Sequence, residues 1–296
     1  TRDQETWGPI GSTPAFREML TMLDSAAPSE VPVLLLGETG TGKEILARRL
    51  HDHSLRASGP FIAINCAAIP PELIESELFG YEKGAFTGAN AAKKGLVETA
   101  DGGTLFLDEI GELAPELQAK LLTTLEDGLI RRVGSTDTRK VTIRLLAATN
   151  VSIESAIEAG TFREDLYFRL AAHTLRIPAL AKRRADVVPI FLHALGVSDH
   201  SAITAETLEA LLTHEWPGNV RELLNVAQTL RSEDNSRIDY RQLPDVMNQF
   251  LKDRAGTQTA RPIDPTRVPV RESTAESVIP PKSLEIPLKS ELVAAL

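Results

Sequence analysis

One stretch limits this chain more than any other: Val33-Leu34-Leu35-Leu36-Gly37-Glu38-Thr39-Gly40-Thr41-Gly42-Lys43-Glu44. Four apolar residues run into a glycine-rich turn, and a helix-compatible segment, residues 45–51, follows. Strand, turn and helix in that order are the setting of a phosphate-binding loop. Glycines let backbone N–H groups converge on phosphate oxygens without a Cβ in the way. The positive end of the following helix points at the same place. On this reading Gly37, Glu38, Thr39, Gly40, Thr41 and Gly42 cradle the phosphates of ATP, and Lys43 reaches the β- and γ-phosphates. Glu44 stands where a serine or threonine usually helps hold Mg²⁺. A βα turn without a ligand is the competing reading, and strand, spacing and lysine together weigh against it.

The chain around that loop reads as an α/β protein. A helical stripe precedes it at residues 14–23, with Phe16, Met19, Leu20 and Leu23 on one face. Strand candidates follow at residues 61–65, 104–108 and 141–149, and Leu117, Leu121, Leu122, Leu125 and Leu129 keep helical spacing between the last two. Near-continuous apolar strands alternating with helices indicate a parallel sheet covered on both faces. From Asp186 the pattern becomes helical only, at residues 187–195, 204–214 and 219–230. Trp216-Pro217-Gly218 makes a turn, and Asn219 is expected to cap the last helix. The domains expected are a lead-in helix over residues 1–30, a nucleotide-binding α/β unit over 31–178 and a helical lid over 179–252. Five prolines between Pro262 and Pro281 suggest a flexible linker over 253–289. Residues 290–296 then open a new amphipathic pattern.

Candidate chemistry gathers at strand ends. Leu105-Phe106-Leu107-Asp108-Glu109 delivers two acids to the carboxyl edge, where open α/β sheets bind ligands. Asp108 is placed to coordinate Mg²⁺, and Glu109 to polarise the water that attacks the γ-phosphate. Thr149 and Asn150 can sense that phosphate from the next strand. Asn65, ending the second strand, can hydrogen-bond Glu109, although for each of these three a strand-end cap is the commoner role. Arg163 and Arg169 lie six apart; an arginine supplied in trans accelerates phosphoryl transfer by ~10³–10⁵, and a surface pair bonded to Glu164 and Asp165 is the plainer account. Arg221 can reach the phosphates from the lid or simply sit exposed beside Glu222. Gly84-Ala85-Phe86-Thr87-Gly88-Ala89 is a loop of small residues around one aromatic. It suits either a contact element or a turn around a core phenylalanine.

These residues together resemble the AAA+ domain of sigma-54-dependent transcriptional activators, the bacterial enhancer-binding proteins. Residues 84–89 match the family's GAFTGA loop at all six positions. Gly37 to Glu44 match its form of the phosphate loop, glutamate included, and Phe162-Arg163-Glu164-Asp165-Leu166 and Trp216-Pro217-Gly218-Asn219-Val220-Arg221-Glu222-Leu223 match as well. The resemblance covers roughly residues 10–230. It implies an AAA+ parallel sheet with helices on both faces, followed by a small all-helical lid. It also implies a hexameric or heptameric ring with ATP and Mg²⁺ at each interface, Arg163 and Arg169 acting as fingers from the next subunit, and Asn65 coupling Glu109 to the Phe86–Thr87 loop. The partner implied is sigma-54 in RNA polymerase holoenzyme, with enhancer DNA bound only through a C-terminal helix-turn-helix that this sequence does not show, residues 290–296 being expected as its truncated start. Leu180-Ala181-Lys182-Arg183-Arg184-Ala185-Asp186-Val187 is a looser version of the family's segment.

Composition agrees and excludes some classes. A net charge of -9 argues against a broad basic face wrapped around nucleic acid. A single cysteine, Cys66, leaves no internal disulfide or cysteine-rich zinc site and fits a reducing cytoplasm, which the resemblance implies is a bacterial one. No apolar run approaches the ~20 residues of a membrane helix. The ends at Thr1 and Leu296 give the appearance of a fragment. A remodelling motor with another target is the first rival reading, and the GAFTGA loop weighs against it. A nucleotide-binding repressor without turnover is the second, and Glu109, Arg163 and Arg169 weigh against that.

Overall fold

A computed structural model of the protein describes residues 8–197, 202–231, 238–245 and 247. The expected linker and the amphipathic start at residues 290–296 lie outside them.

The sheet is parallel and five-stranded, with the strands at residues 61–65, 104–108, 144–149, 33–36 and 173–176 lying side by side in that order. Chain order begins with α1 (Pro14–Ala26), β1 (Val33–Leu36), α2 (Lys43–Asp52), β2 (Phe61–Asn65) and α3 (Pro71–Phe79). A short hairpin, β3 (Gly80–Tyr81) and β4 (Lys93–Lys94), and α4 (Leu96–Thr99) precede β5 (Thr104–Asp108) and α5 (Pro115–Asp127). A second hairpin, β6 (Leu129–Arg131) and β7 (Thr138–Lys140), leads to β8 (Arg144–Thr149), α6 (Ile153–Glu158), α7 (Glu164–Leu170) and β9 (His173–Arg176). The helical region holds α8 (Val187–Leu195), α9 (Ala205–Thr213) and α10 (Asn219–Arg231).

Alternation along the strands explains why both faces are covered. Leu34, Ile64, Leu105, Leu107, Leu145 and Ala147 pack with the α3, α5 and α7 side. Val33, Leu35, Phe106, Leu146, Ala148 and Leu175 pack with α1 and α2. The helical region has its own core around Phe191, Leu211, Leu223 and Trp216. Trp216, fully buried, donates its indole N–H to the carbonyl of Leu211 at 2.9 Å and meets His214 edge-on.

The structure departs from the sequence expectations at definite points. The fourth expected strand begins at Arg144 rather than Val141, because the Thr142 N–H and carbonyl are taken by Asp101, Gly102 and Arg56. Gly128 ends α5 in a left-handed conformation, so Leu129 opens a hairpin instead of extending the helix. β9 carries a single buried residue, Leu175, and gives no apolar run to read.

Asn219 does not cap its own helix. Its side chain faces the phosphate loop, and Glu222 accepts the Gly218 N–H at 2.8 Å in its place.

Candidate phosphate site and projecting loop

Parallel register brings the strand ends to one edge. Leu36 pairs with Thr149 and Asn65 with Asp108, and the Gly37 N–H donates to the Thr149 carbonyl at 3.2 Å. The loop from Gly37 to Gly42 spans this edge, and α2 starts at Lys43. Lys43 is 6% exposed. Its ammonium donates to the Gly37 carbonyl at 3.0 Å and to Glu109 Oε1 at 3.1 Å. Glu44 lies exposed in the first turn of α2. Thr41 turns its hydroxyl back onto the Glu38 carbonyl, and Thr39 Oγ1 accepts from the Asn150 side-chain amide at 2.9 Å.

Glu109 has a left-handed backbone with φ 52°, uncommon for a non-glycine residue and typical of strained functional positions. That twist turns its carboxylate away from β2. Oε1 meets Lys43, and Oε2 accepts the Asn150 N–H at 3.1 Å. The expected Asn65–Glu109 bond is therefore absent. Asn65 stands opposite Asp108 in register and donates to Asp108 Oδ2 at 3.4 Å, while its own Oδ1 accepts the Ala67 N–H. Burial first, then the Glu109 charge, hold the Asp108 carboxyl above the ordinary aspartate value, and Lys43 opposes them. Cys66 lies nearby. Burial, with Asp108 and Glu109, pushes its thiol up to about 12, so it is no nucleophile.

Thr149 is buried, with its hydroxyl accepting the Val151 N–H, so it acts as a strand-end cap rather than facing the loop. Asn150 alone of that pair reaches the site. Arg221 joins it through its backbone: its N–H donates to the Gly40 carbonyl at 3.2 Å and its side chain is exposed.

Arg163 and Arg169 stand apart from this cluster. Arg163 forks onto Asp165 at 3.0 and 2.6 Å, and its backbone N–H is fixed by the buried Gln118. Arg169 donates to the Leu125 carbonyl. Both are exposed.

The GAFTGA segment caps the first hairpin. Within it the Gly84 N–H donates to the Ala89 carbonyl and the Ala89 N–H to the Phe86 carbonyl, closing a compact turn. Phe86 is 44% exposed, with its ring 4.9 Å from Tyr81, and Thr87 is exposed beside it. The core-phenylalanine reading fails on that exposure. The loop leans on the second hairpin, where Glu82 and Val133 share a backbone bond and buried Arg132 pairs with Glu82 at 3.0 Å and Glu98 at 2.8 Å. The sequence reading missed this support because its partners are 34 and 50 residues apart.

Magnesium fits these residues. A hard cation takes oxygen ligands and is usually held by one or two carboxylates plus substrate phosphates. Asp108 offers such a carboxylate at the strand end, each oxygen accepting one hydrogen bond and keeping a further lone pair.

A phosphate loop on a five-stranded parallel sheet, two acids at the end of β5, separated from the loop's own strand β1 by β8, and a helical lid define an AAA+ type P-loop protein. The family described as Sigma-54 interaction domain matches residues 9–176, and that described as AAA+ ATPase lid domain matches residues 181–260. The chain belongs to the sigma-54 interaction domain family. It is 48% identical over 234 residues to a Nif-specific regulatory protein of Azotobacter vinelandii, covering 77% of this chain and 45% of that one. It is 49% identical over 219 residues to the sigma54-dependent transcriptional activator SfnR of Pseudomonas putida, covering 72% and 60%. The chain spans about half the length of the curated relatives it matches. Among solved structures, NtrX of Brucella abortus in complex with ATP superposes with a TM-score of 0.75 at 34% identity, over 82% of this chain and 55% of that one. A RuvB variant of Thermotoga maritima, at 17% identity and a TM-score of 0.54, shares the fold. No helix among the described residues is long and apolar enough to cross a membrane.

Proposed function

We propose that this chain hydrolyses ATP and uses the stroke to remodel the sigma-54 RNA polymerase closed complex through its GAFTGA loop. The observation that carries the reading is the convergence of Lys43, Asp108 and Glu109 under one phosphate loop. The loop amides and Lys43 bind the phosphates. Glu109 accepts the proton of the attacking water, and Asn150, bonded to both Glu109 and Thr39, relays the state of the γ-phosphate. Asp108, with Glu44 through water, would hold Mg²⁺, which when bound neutralises phosphate charge. Arg163 and Arg169 act across the interface of a hexameric or heptameric ring. Both are exposed, and Asp165 holds the first until a neighbour arrives.

Coupling from Asn65 runs through Asp108, to which its side-chain amide donates, rather than through Glu109 directly. Phe86 and Thr87 supply the contact to sigma-54. Enhancer DNA is bound by a helix-turn-helix of the kind the family carries, in a bacterial cytoplasm. The proposed division remains a lead-in helix over 1–30, an α/β unit over 31–178, a lid over 179–252 and a linker over 253–289.

Steady-state phosphate release from MgATP tests the enzymatic part. Wild type should turn over and Lys43→Ala should not. Equal release from both would remove the loop from the reaction.

A further inference from the structure

The lid does more than cover the site: it holds three successive carbonyls of the phosphate loop. Asn219 Nδ2 donates to the Thr39 carbonyl at 3.1 Å, the Arg221 N–H to the Gly40 carbonyl at 3.2 Å, and Arg183 Nη2 to the Thr41 carbonyl at 3.4 Å. Asn219 Nδ2 also donates to Glu38 Oε2 at 3.0 Å, and Asn219 Oδ1 accepts the Leu180 N–H at 2.7 Å. That pattern uses the whole amide in the one orientation that satisfies every partner. Asn219 is fully buried at φ 52°, a left-handed conformation that asparagine tolerates. Arg183, also buried, stacks on Phe16 of α1 with its guanidinium 4.2 Å from the ring centroid. Gly40, at φ 80°, has no room for a side chain, since a Cβ there would overlap the Gly218 carbonyl.

A trans peptide points its N–H opposite to its carbonyl. Carbonyls of Thr39 and Thr41 drawn toward the lid therefore aim the N–H groups of Gly40 and Gly42 away from it, while the Thr41 N–H closes the turn onto Glu38.

We propose that Asn219 and Arg183 are positioning residues for nucleotide: they hold the phosphate loop in its binding shape from the lid, so that rotation of the lid and loss of grip on phosphate are one event. The proposal rests on the nucleotide reading above, and its test separates the two.

The test is MgADP affinity of the full chain by calorimetry, with thermal melts run alongside to confirm folding. Asn219→Asp keeps the acceptor for Leu180, loses both donors and faces Glu38 with a second carboxylate. It should bind MgADP about tenfold more weakly. Adding Glu38→Gln restores a donor–acceptor pair with reversed polarity and should recover about threefold, a rescue that general loosening of the lid would not give. Arg183→Gln, too short to reach Thr41, should weaken binding about threefold and decides the matter if Asn219→Asp does not fold. Wild-type affinity in both Asn219→Asp and Arg183→Gln, or no recovery with Glu38→Gln, would overturn the proposal. A wild-type chain that binds no MgADP would overturn the nucleotide reading itself.

Discussion

Replacing Glu109 with glutamine removes a charge and almost no volume, and the geometry sets three consequences. The carboxylate accepts from two donors, the Lys43 ammonium and the Asn150 N–H, each at 3.1 Å. A glutamine amide offers one acceptor oxygen and one NH₂, so one of those donors must face another donor. An orphaned donor at a site where Glu109 is only 15% exposed costs about 1–3 kcal/mol. At about 2–4 °C per kcal/mol for a domain of this size, the ligand-free melting temperature should fall by about 2–12 °C. Turnover should fall by about 10²–10⁴, the range for a lost general base, or about 3–5 kcal/mol of barrier. Nucleotide should bind more tightly, by about threefold or more, because Lys43 no longer has to leave a carboxylate to reach phosphate. Phosphate release, calorimetric titration with MgADP and a thermal melt on one preparation read all three. Turnover within threefold of wild type would remove Glu109 as the base, and weaker nucleotide binding would refute the competition for Lys43.

Two further expectations concern other parts of the molecule. His51, buried at the end of α2 with Nδ1 2.9 Å from the Thr104 hydroxyl, has its pKa held below 6.5, chiefly by burial. The unfolded chain then binds the extra proton first, so stability is complete above about pH 6.5 and declines as pH falls toward the depressed value; His51→Asn should show a flatter melting profile between about pH 7.5 and 5.5, and parallel profiles would contradict this. Arg163→Ala and Glu109→Gln, each inactive alone, should recover phosphate release when mixed, because a mixed interface can pair an intact Arg163 with an intact Glu109. No recovery would place that arginine's action within its own subunit.

What could be read from the sequence follows from how local each signal is. The strands at residues 61–65 and 104–108 stand where their apolar runs put them; the second is covered on both faces, and the first, at the sheet edge, still carries a contiguous Phe61-Ile62-Ala63-Ile64 run. The phosphate loop and the Asp108–Glu109 pair were legible for the same reason, being contiguous. β9 was missed because His173-Thr174-Leu175-Arg176 holds one apolar residue among polar ones and so offers no apolar run to read. Asn219 was misassigned because helix capping is a local rule, whereas its partners Glu38 and Thr39 lie about 180 residues away and nothing nearby marks them. Asn65 was paired with the wrong acid because a strand-end position gives adjacency but not the left-handed turn at Glu109.

The central claim is that the exposed Phe86–Thr87 tip transmits ATP turnover to sigma-54. Its most direct test is co-elution of this chain with purified sigma-54 in ADP and a metal fluoride that mimics the transferring phosphoryl group, with Thr87→Ala run beside it. The account predicts a complex with wild type, none with Thr87→Ala, and phosphate release near the wild-type rate in both. Active phosphate release with no sigma-54 complex for either protein would contradict it and leave a motor whose target lies elsewhere.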